Sequence, residues 1–225
     1  MLAVVLSNAN TINNWISQIH ARSKHVSCLG NYLYESITER NEKFKKYRKK
    51  IFSKSGIGEL YERQIRYLYE KNGWRVIPYG IIKGKSDLGR DLICIKKKQV
   101  LIIQAKNWSK SKTIHEKHLM QLSGTMMHYA NKTKKIPKGM IITTTKLSNT
   151  AKDFAKELNI QYRYVKLDKN FPMIKCNVNK RGKKLYFLPF DKFYDKVHIE
   201  KNKNEFYTSS IKIAESKGFR HVGKK

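Results

Sequence analysis

Two apolar runs joined by a short basic turn constrain the fold of this chain more than any other feature. LICI at residues 92–95 is followed by KKKQ at 96–99 and by VLIIQAK at 100–106. Short runs rich in Ile and Val between turn residues favour β-strands over helices. A connection this short predicts that the two strands pair antiparallel as a hairpin.

Three polar side chains lie at one end of this predicted hairpin. Side chains two residues apart in a strand point to the same face, so Gln104 and Lys106 share a face. Asp91 stands at the start of the first strand. Antiparallel pairing therefore brings Asp91 next to the Gln104–Lys106 end, at one edge of the sheet.

This combination of groups suits a divalent cation and phosphate chemistry. Mg²⁺ prefers oxygen ligands, usually one or two carboxylates completed by water and phosphate. Asp91 offers a carboxylate, Gln104 an amide oxygen and Ala105 a backbone carbonyl. Lys106 cannot bind a metal while protonated, but it can hold or help deprotonate the attacking water, or neutralise charge growing on a phosphate.

A second acid is expected to complete such a site. A predicted helix precedes the hairpin, because Leu60, Ile65 and Leu68 recur at helical spacing within residues 56–74. Glu62 on this helix is the best candidate, and Glu59 lies one turn earlier.

The remaining elements predict a mixed α/β sheet with helices on both faces. Strands are predicted at 75–81, 91–95, 100–106, 138–147 and 161–167, and further helices at 115–133 and 148–160. Ser148 or Asn149 can cap the last of these helices.

In order, these segments resemble the PD-(D/E)xK restriction-endonuclease-like nucleases, and most closely their Mrr-type branch, which carries Gln in place of the usual second acid. The resemblance covers residues 56 to about 166. It rests on GELYERQIRYLYEKNGWRV, GRDLI, VLIIQAKNW, HLMQLSGTMMHYA and GMIITTTKLSNTAKDFAKELNI. It implies a restriction-endonuclease-like fold and an active site formed by Glu62, Asp91, Gln104 and Lys106.

Two alternatives to these assignments stay open at this stage. The loop KGKSDLGRD is richer in Lys than the family pattern and contains Asp87, which could replace or supplement Asp91. Glu62 could instead form an ion pair with Arg66, one helical turn later.

Three domains are predicted: a basic helical extension at 1–54, the nuclease domain at 55–170, and a small β-rich module at 173–225. The last segment resembles short modules appended to bacterial and phage nucleases, some of which bind metal through cysteines. It retains only Cys176, so no metal is expected there. The change of pattern near Met173 predicts that residues 1–172 fold without it, and the module's many aromatic residues suggest nucleic-acid binding.

The charge of the chain indicates a polyanionic partner. Lys and Arg number 48 against 17 Asp and Glu, a formal net charge of +31. DNA is the expected partner, since such an excess of like charge repels itself unless a polyanion is near. The three scattered cysteines form no CxxC pair, and no apolar run is long enough to span a bilayer. We therefore expect a soluble intracellular protein of the cytoplasm or nucleoid.

The sequence as a whole predicts a metal-dependent DNA endonuclease that hydrolyses phosphodiester bonds, with Mg²⁺ as cofactor and Mn²⁺ as a substitute. The predicted metal ligands are Glu62, Asp91, Gln104 and the carbonyl of Ala105. Cutting both strands requires two active sites, which favours a homodimer. The alternative is a non-catalytic nucleic-acid-binding protein built on a nuclease fold. Restriction, repair and mobile-element biology all stay open as its setting.

Overall fold

The computed structural model describes residues 37–84 and 88–222. The chain divides into two compact units, residues 1–49 and residues 50–225. In the first, residues 37–49 form helix α1, whose surface carries an ion pair between Lys45 Nζ and Glu42 Oε1 at 2.7 Å. Most of the predicted basic extension, residues 1–36, lies outside the described residues.

Helix α2, Lys54–Glu70, begins the second unit. The Ser53 side chain caps it by accepting a hydrogen bond from the Gly56 amide at 3.2 Å. Tyr61 and Ile65, one turn apart, are buried against the sheet. The helix predicted within residues 56–74, with a stop at Gly73, is thus confirmed, although it begins at Lys54 and ends at Glu70.

The segment after α2 differs from the prediction. Strand β1 is only Arg75–Pro78, and Tyr79–Lys83 form a short helix, α3, where the strand was expected to continue. Proline cannot donate a ladder hydrogen bond, so Pro78 ends the pairing. The Gly80 amide turns instead towards Asp91 and donates to its backbone oxygen at 2.9 Å.

The main sheet is mixed, as predicted, and has the order β1-β2-β3-β4-β5. Strands β1 to β3 pair antiparallel, whereas β3, β4 and β5 pair parallel. The remaining elements of this part of the chain are β2 (Leu92–Lys96), β3 (Gln99–Lys106), α4 (Glu116–Thr133), β4 (Lys138–Thr143), α5 (Asn149–Glu157) and β5 (Ile160–Tyr164). Ser148, not Asn149, caps α5.

Helices cover both faces of this sheet. On one face α2 packs against residues that include Leu92, Ile103 and Met140. On the other face α4 and α5 pack against residues that include Ile102 and Ile141. Successive side chains of β3 point to opposite faces of the sheet. Gln104 and Lys106 therefore lie on the same face as Ile102, which is the face covered by α4.

A second sheet follows, with the order β8-β6-β7-β9. Its strands are β6 (Ile174–Val178), β7 (Lys184–Phe187), β8 (Phe206–Thr208) and β9 (Arg220–His221), with helix α6 (Ile211–Ser216) before β9. The predicted β-rich character is confirmed. Both sheets belong to the one compact unit of residues 50–225, and a domain boundary near residue 173 stays a prediction.

Buried charges of α2 meet this second sheet in what we call the Glu70 cluster: Arg66, Glu70, Lys175, His198 and Tyr207. The Arg66 Nε donates to the Glu70 carboxylate at 2.8 Å, and the Tyr207 hydroxyl donates to its other oxygen. The side chains of Arg66, Glu70 and Lys175 are each at most 1% exposed. The Arg66 guanidinium also donates to the backbone oxygens of residues 195 and 197.

Among the helices within residues 37–84 and 88–222, none is both long and apolar enough to cross a membrane.

Candidate active site

Two carboxylates converge where Gly80 has no side chain. An ideal Cβ on Gly80 would lie 2.9 Å from Glu62 Oε2 and 3.3 Å from Asp91 Oδ1. The two oxygens therefore cannot be farther apart than the sum of those distances. Glu62 Oε2 is shielded from solvent, and the Asp91 side chain is 8% exposed. Helix α2 and the start of β2 thus supply two acids to one small buried volume.

Backbone hydrogen bonds hold Asp91 in place. Its amide donates to the Ile103 oxygen at 3.0 Å, which extends the β2–β3 ladder by one step. Its Oδ2 accepts the Ala105 amide at 2.6 Å, so one carboxylate oxygen is fixed against β3. The predicted approach of Asp91 to the end of β3 is confirmed.

Gln104 is fully buried and is oriented by helix α4. Its amide nitrogen donates to Gln121 Oε1 at 3.1 Å. Its own Oε1 is buried and has no hydrogen-bond partner within residues 37–84 and 88–222. Gly89 (φ +78°) makes room for the pair, because a Cβ there would lie 2.7 Å from the Gln121 amide carbon. A glycine is needed at 89 for both its φ and this close approach.

Lys106 is the half-buried last residue of β3 and lies beside Thr143 of β4. Its backbone oxygen accepts the Thr144 amide at 3.1 Å. The Thr144 hydroxyl in turn bonds the amide and the oxygen of Trp108, at 2.8 and 2.7 Å. The chain leaving β3 is therefore fixed at the same edge of the sheet as the carboxylates.

His118 of α4 lies close enough to Lys106 to respond to its charge. Burial, and then the positive charges of Lys106 and Lys117, lower the pKa of His118. Its ring packs edge-to-face on Trp108, with centroids 5.1 Å apart. The neutral imidazole is thus the form that this environment favours.

The structure brings together the predicted residues in the following way. The carboxylates of Glu62 and Asp91 share one buried volume. Asp91 accepts a hydrogen bond from the Ala105 amide, and Gln104 and Lys106 lie on either side of Ala105 in β3. Glu59, the alternative acid, is exposed on α2. Arg66 pairs with Glu70 rather than with Glu62. Asp87 lies outside the described residues.

Sequence reasoning did not single out Gly80 or Gly89. Gly80 lies in the strand predicted at 75–81 and Gly89 in the loop before Asp91, and neither shows in the sequence which side chains will approach it. Gln121 had a weak signal, because it lies on α4 in the segment that resembles the family helix. The hydrogen bonds between the Thr144 hydroxyl and the Trp108 backbone could not be predicted, because the sequence shows only a run of threonines at the end of β4.

The oxygen atoms at this edge fit a hard divalent cation. Two carboxylates and a buried amide oxygen to which no described residue donates form the kind of ligand set that Mg²⁺ takes, with water completing it. Within the described parts of the chain, no cluster of three or more His, Cys, Asp or Glu side chains could hold a metal. Any cation bound here would therefore depend on Gln104 and backbone oxygen as well as on the two acids.

Comparison with known proteins identifies the domain that carries this site. Residues 57–168 match the Mrr_cat family model, described as a restriction endonuclease. No curated protein matches the chain significantly.

Similar solved structures cover about half of the chain, and the chain spans roughly half of theirs. A protein of unknown function is 19% identical over 47% of this chain and 58% of its own, with a TM-score of 0.39. EndoMS bound to double-stranded DNA is 8% identical over 48% and 44%, with a TM-score of 0.38. A repair endonuclease from Pyrococcus abyssi is 10% identical over 52% and 48%, with a TM-score of 0.37.

The family match spans α2, the five strands of the main sheet and the helices between them, which is the region that resembled Mrr-type nucleases in the sequence. That resemblance is confirmed, and through residues 57–168 the chain belongs to the Mrr-type restriction endonuclease family.

Proposed function

We propose that this protein is a Mg²⁺-dependent DNA endonuclease that hydrolyses phosphodiester bonds, with Mn²⁺ able to replace Mg²⁺. The observation that carries the proposal is the convergence of Glu62 Oε2 and Asp91 Oδ1 on the space beside Gly80. Like charges buried together repel each other unless a proton or a cation lies between them. A divalent cation next to a phosphodiester satisfies that requirement.

Each predicted residue then has a separate role. Glu62, Asp91, Gln104 and the carbonyl of Ala105 would hold the cation, which supplies charge neutralisation and a more acidic water when bound. The Gln121 amide keeps the Gln104 oxygen pointing away from α4, because its own oxygen accepts the Gln104 nitrogen. Lys106 holds the attacking water and neutralises charge on the phosphate as the bond to the leaving oxygen breaks.

DNA is the substrate that the charge supports. With a net charge of +31, the chain would release many condensed counterions on binding a polyphosphate. Binding should therefore weaken steeply as salt rises from about 50 to about 200 mM. A salt-independent affinity would remove DNA as the partner.

Nicking of supercoiled plasmid tests the proposal. We expect cutting with Mg²⁺ or Mn²⁺ and none in EDTA. Asp91→Asn and Lys106→Met should each lower the rate by more than about a hundredfold. Asp153→Asn, which changes an exposed acid on α5, is the matched control and should cut normally.

Two further measurements separate binding of the metal from catalysis. Mn²⁺ should raise the melting temperature of the wild type and of Lys106→Met, but not of Asp91→Asn, because ligands that bind only the native state stabilise it. Gln104→Glu should retain cutting, since a carboxylate replaces the amide oxygen. A wild-type protein that binds DNA but never nicks it under these conditions would instead be the passive nucleic-acid-binding protein.

A further inference from the structure

Most aromatic side chains of the second sheet pack in its core. Phe206 packs edge-to-face on Phe219, with centroids 5.4 Å apart, and Tyr207 belongs to the Glu70 cluster. Almost fully buried are Phe219 and three others, Tyr186, Phe187 and Tyr194. Phe190 and Phe193 differ, with 43% and 47% of their surface exposed. Both lie in the segment 189–196, which we call the Phe190/Phe193 loop.

The carboxylate of Asp191 and the two lysines of this loop face in different directions. Asp191 faces inwards, where its carboxylate accepts the Leu188 amide at 2.7 Å and meets His221 Nε2 at 3.0 Å. Lys192 and Lys196 face outwards, and their ammonium groups lie 5.8 and 5.6 Å from the centre of the Phe193 ring. The exposed surface of the loop therefore offers aromatic rings and positive charge together.

The loop is held rigidly. The Asp191 amide donates to the Leu188 oxygen at 2.9 Å, and the Tyr194 amide donates to the Asp191 oxygen at 3.0 Å. The Tyr194 hydroxyl is anchored on the Met173 oxygen at 2.7 Å. A ligand that binds the two rings would not have to order this backbone first, which lowers the entropic cost of binding.

Arg63 attaches the loop to the helix that carries Glu62. Its Nε donates to Asp195 Oδ1 at 3.1 Å and its Nη1 donates to the Pro189 oxygen at 3.2 Å. Arg63 directly follows Glu62 in α2. The rings are thus presented from a loop that packs on the same helical turn as the candidate catalytic acid.

We propose that the Phe190/Phe193 loop binds unpaired DNA beside the cutting site, with bases stacking on the two phenylalanine rings and phosphates bound by Lys192 and Lys196. The inference rests on the proposed function, because it takes DNA as the partner. A ring needs the flat face of a base, and a base exposes that face only when it leaves the duplex stack. Aromatic platforms lined by cations bind single strands in this way, with little sequence preference.

Binding to matched oligonucleotides tests the inference. A fluorescent 20-nucleotide single strand and the duplex of the same sequence are titrated with the full chain in EDTA, so that no cutting occurs. We expect the double variant Phe190→Leu/Phe193→Leu to lose single-strand affinity by at least about fivefold, the lower end of the range for one lost base stack. Duplex affinity should change less than about twofold.

Three controls sharpen the result. Ile136→Ala removes another exposed apolar side chain, 92% exposed, from a basic segment before β4, and should leave both affinities unchanged. Phe193→Trp should retain single-strand binding, because an aromatic ring is restored. Replacing Lys192 and Lys196 by Gln should reduce the salt slope for the single strand by roughly 0.7 per lost phosphate contact.

The outcomes separate this inference from the proposed nuclease activity. Unchanged single-strand affinity in the Leu variant, or an equal loss on single strand and duplex, overturns it. Ring-dependent single-strand binding by a protein that never nicks plasmid would reject the nuclease proposal and leave the inference standing. If the protein nicks plasmid normally but its single-strand binding does not depend on the two rings, the inference is rejected and the nuclease proposal stands.

Discussion

Replacing Glu70 by Gln should strongly destabilise the protein, although residue 70 is not part of the candidate active site. The carboxylate is fully buried and accepts hydrogen bonds from Arg66 and Tyr207. Gln has nearly the same shape, so the change removes charge without creating a cavity. It leaves the Arg66 guanidinium, which is 1% exposed, without its buried counter-charge.

The expected size follows from that loss. Removing one partner of a buried ion pair costs about 3–5 kcal/mol, because the other charge is left uncompensated in the interior. The Gln oxygen can still accept a hydrogen bond from Arg66, which places the effect near 3 kcal/mol. For a folded unit of this size the melting temperature should fall by roughly 6–12 °C.

Thermal and urea unfolding, followed by circular dichroism, measure the effect. Glu59→Gln is the matched control, since residue 59 is an exposed glutamate on the same helix. It should change the melting temperature by less than about 2 °C.

The pH dependence provides a second test of the same cluster. Burial opposes ionisation of Glu70, but the His198 ring, 3.7 Å away, and the positive charge of Arg66 outweigh it and lower the carboxyl pKa. A lowered folded-state pKa gives stability that is fully present above the unfolded value of about 4.3 and is lost as pH falls through the folded value. The difference in free energy of unfolding between the wild type and Glu70→Gln should therefore be largest above about pH 5 and should become smaller in acid.

Equal stability of Glu70→Gln, Glu59→Gln and the wild type at pH 7 would refute the reasoning. A difference in free energy of unfolding that stays constant down to pH 2 would also refute it, because a protonated Glu70 should behave like Gln.

Three further predictions follow from other parts of the molecule. Gly80→Ala places a methyl group 2.9 Å from Glu62 Oε2, an oxygen of the candidate active site. Nicking should therefore fall about tenfold or more with little change in melting temperature, whereas Gly58→Ala, which meets open space, should cut normally. A chain ending at residue 172 should lose cooperative thermal unfolding, because three of the five residues of the Glu70 cluster are missing; a sharp melt near the full-length temperature would instead support the independent nuclease domain expected from the sequence. Burial raises the pKa of Cys176 to about 12 and that of Cys94 well above its usual value, so at most one of the three thiols should react with a disulfide reagent at pH 8 before unfolding, and a count of two or three would contradict their burial.

Local pattern was sufficient to predict the part of the site that lies on neighbouring strands. Alternation along β3 placed Gln104 and Lys106 on one face, and the short turn fixed the antiparallel pairing that brings Asp91 to them. Both depend on residues less than twenty positions apart. Glu62 stays a predicted site residue: its carboxylate approaches Asp91 beside Gly80, whereas Glu59, one turn earlier, is exposed.

The environment of α2 beyond Glu62 could not be predicted in the same way. Arg66 and Glu70 have the spacing of an ordinary solvent-exposed ion pair on a helix. Their burial depends on groups at 195–207, more than 120 residues away, for which the helix itself carries no signal. Gly80 is a similar case, since its importance comes from side chains of α2 and β2 that approach it only in three dimensions.

The Glu70 cluster also affects the order of events during synthesis on the ribosome. Helix α2 emerges early, yet the groups that satisfy Arg66 and Glu70 are translated more than a hundred residues later. Until then the helix has no reason to bury those charges, and such distant contacts form slowly. An unfinished polypeptide would therefore hold Glu62 on a helix that has not yet settled. The candidate active site would therefore be held in place only after residues 195–207 had been made.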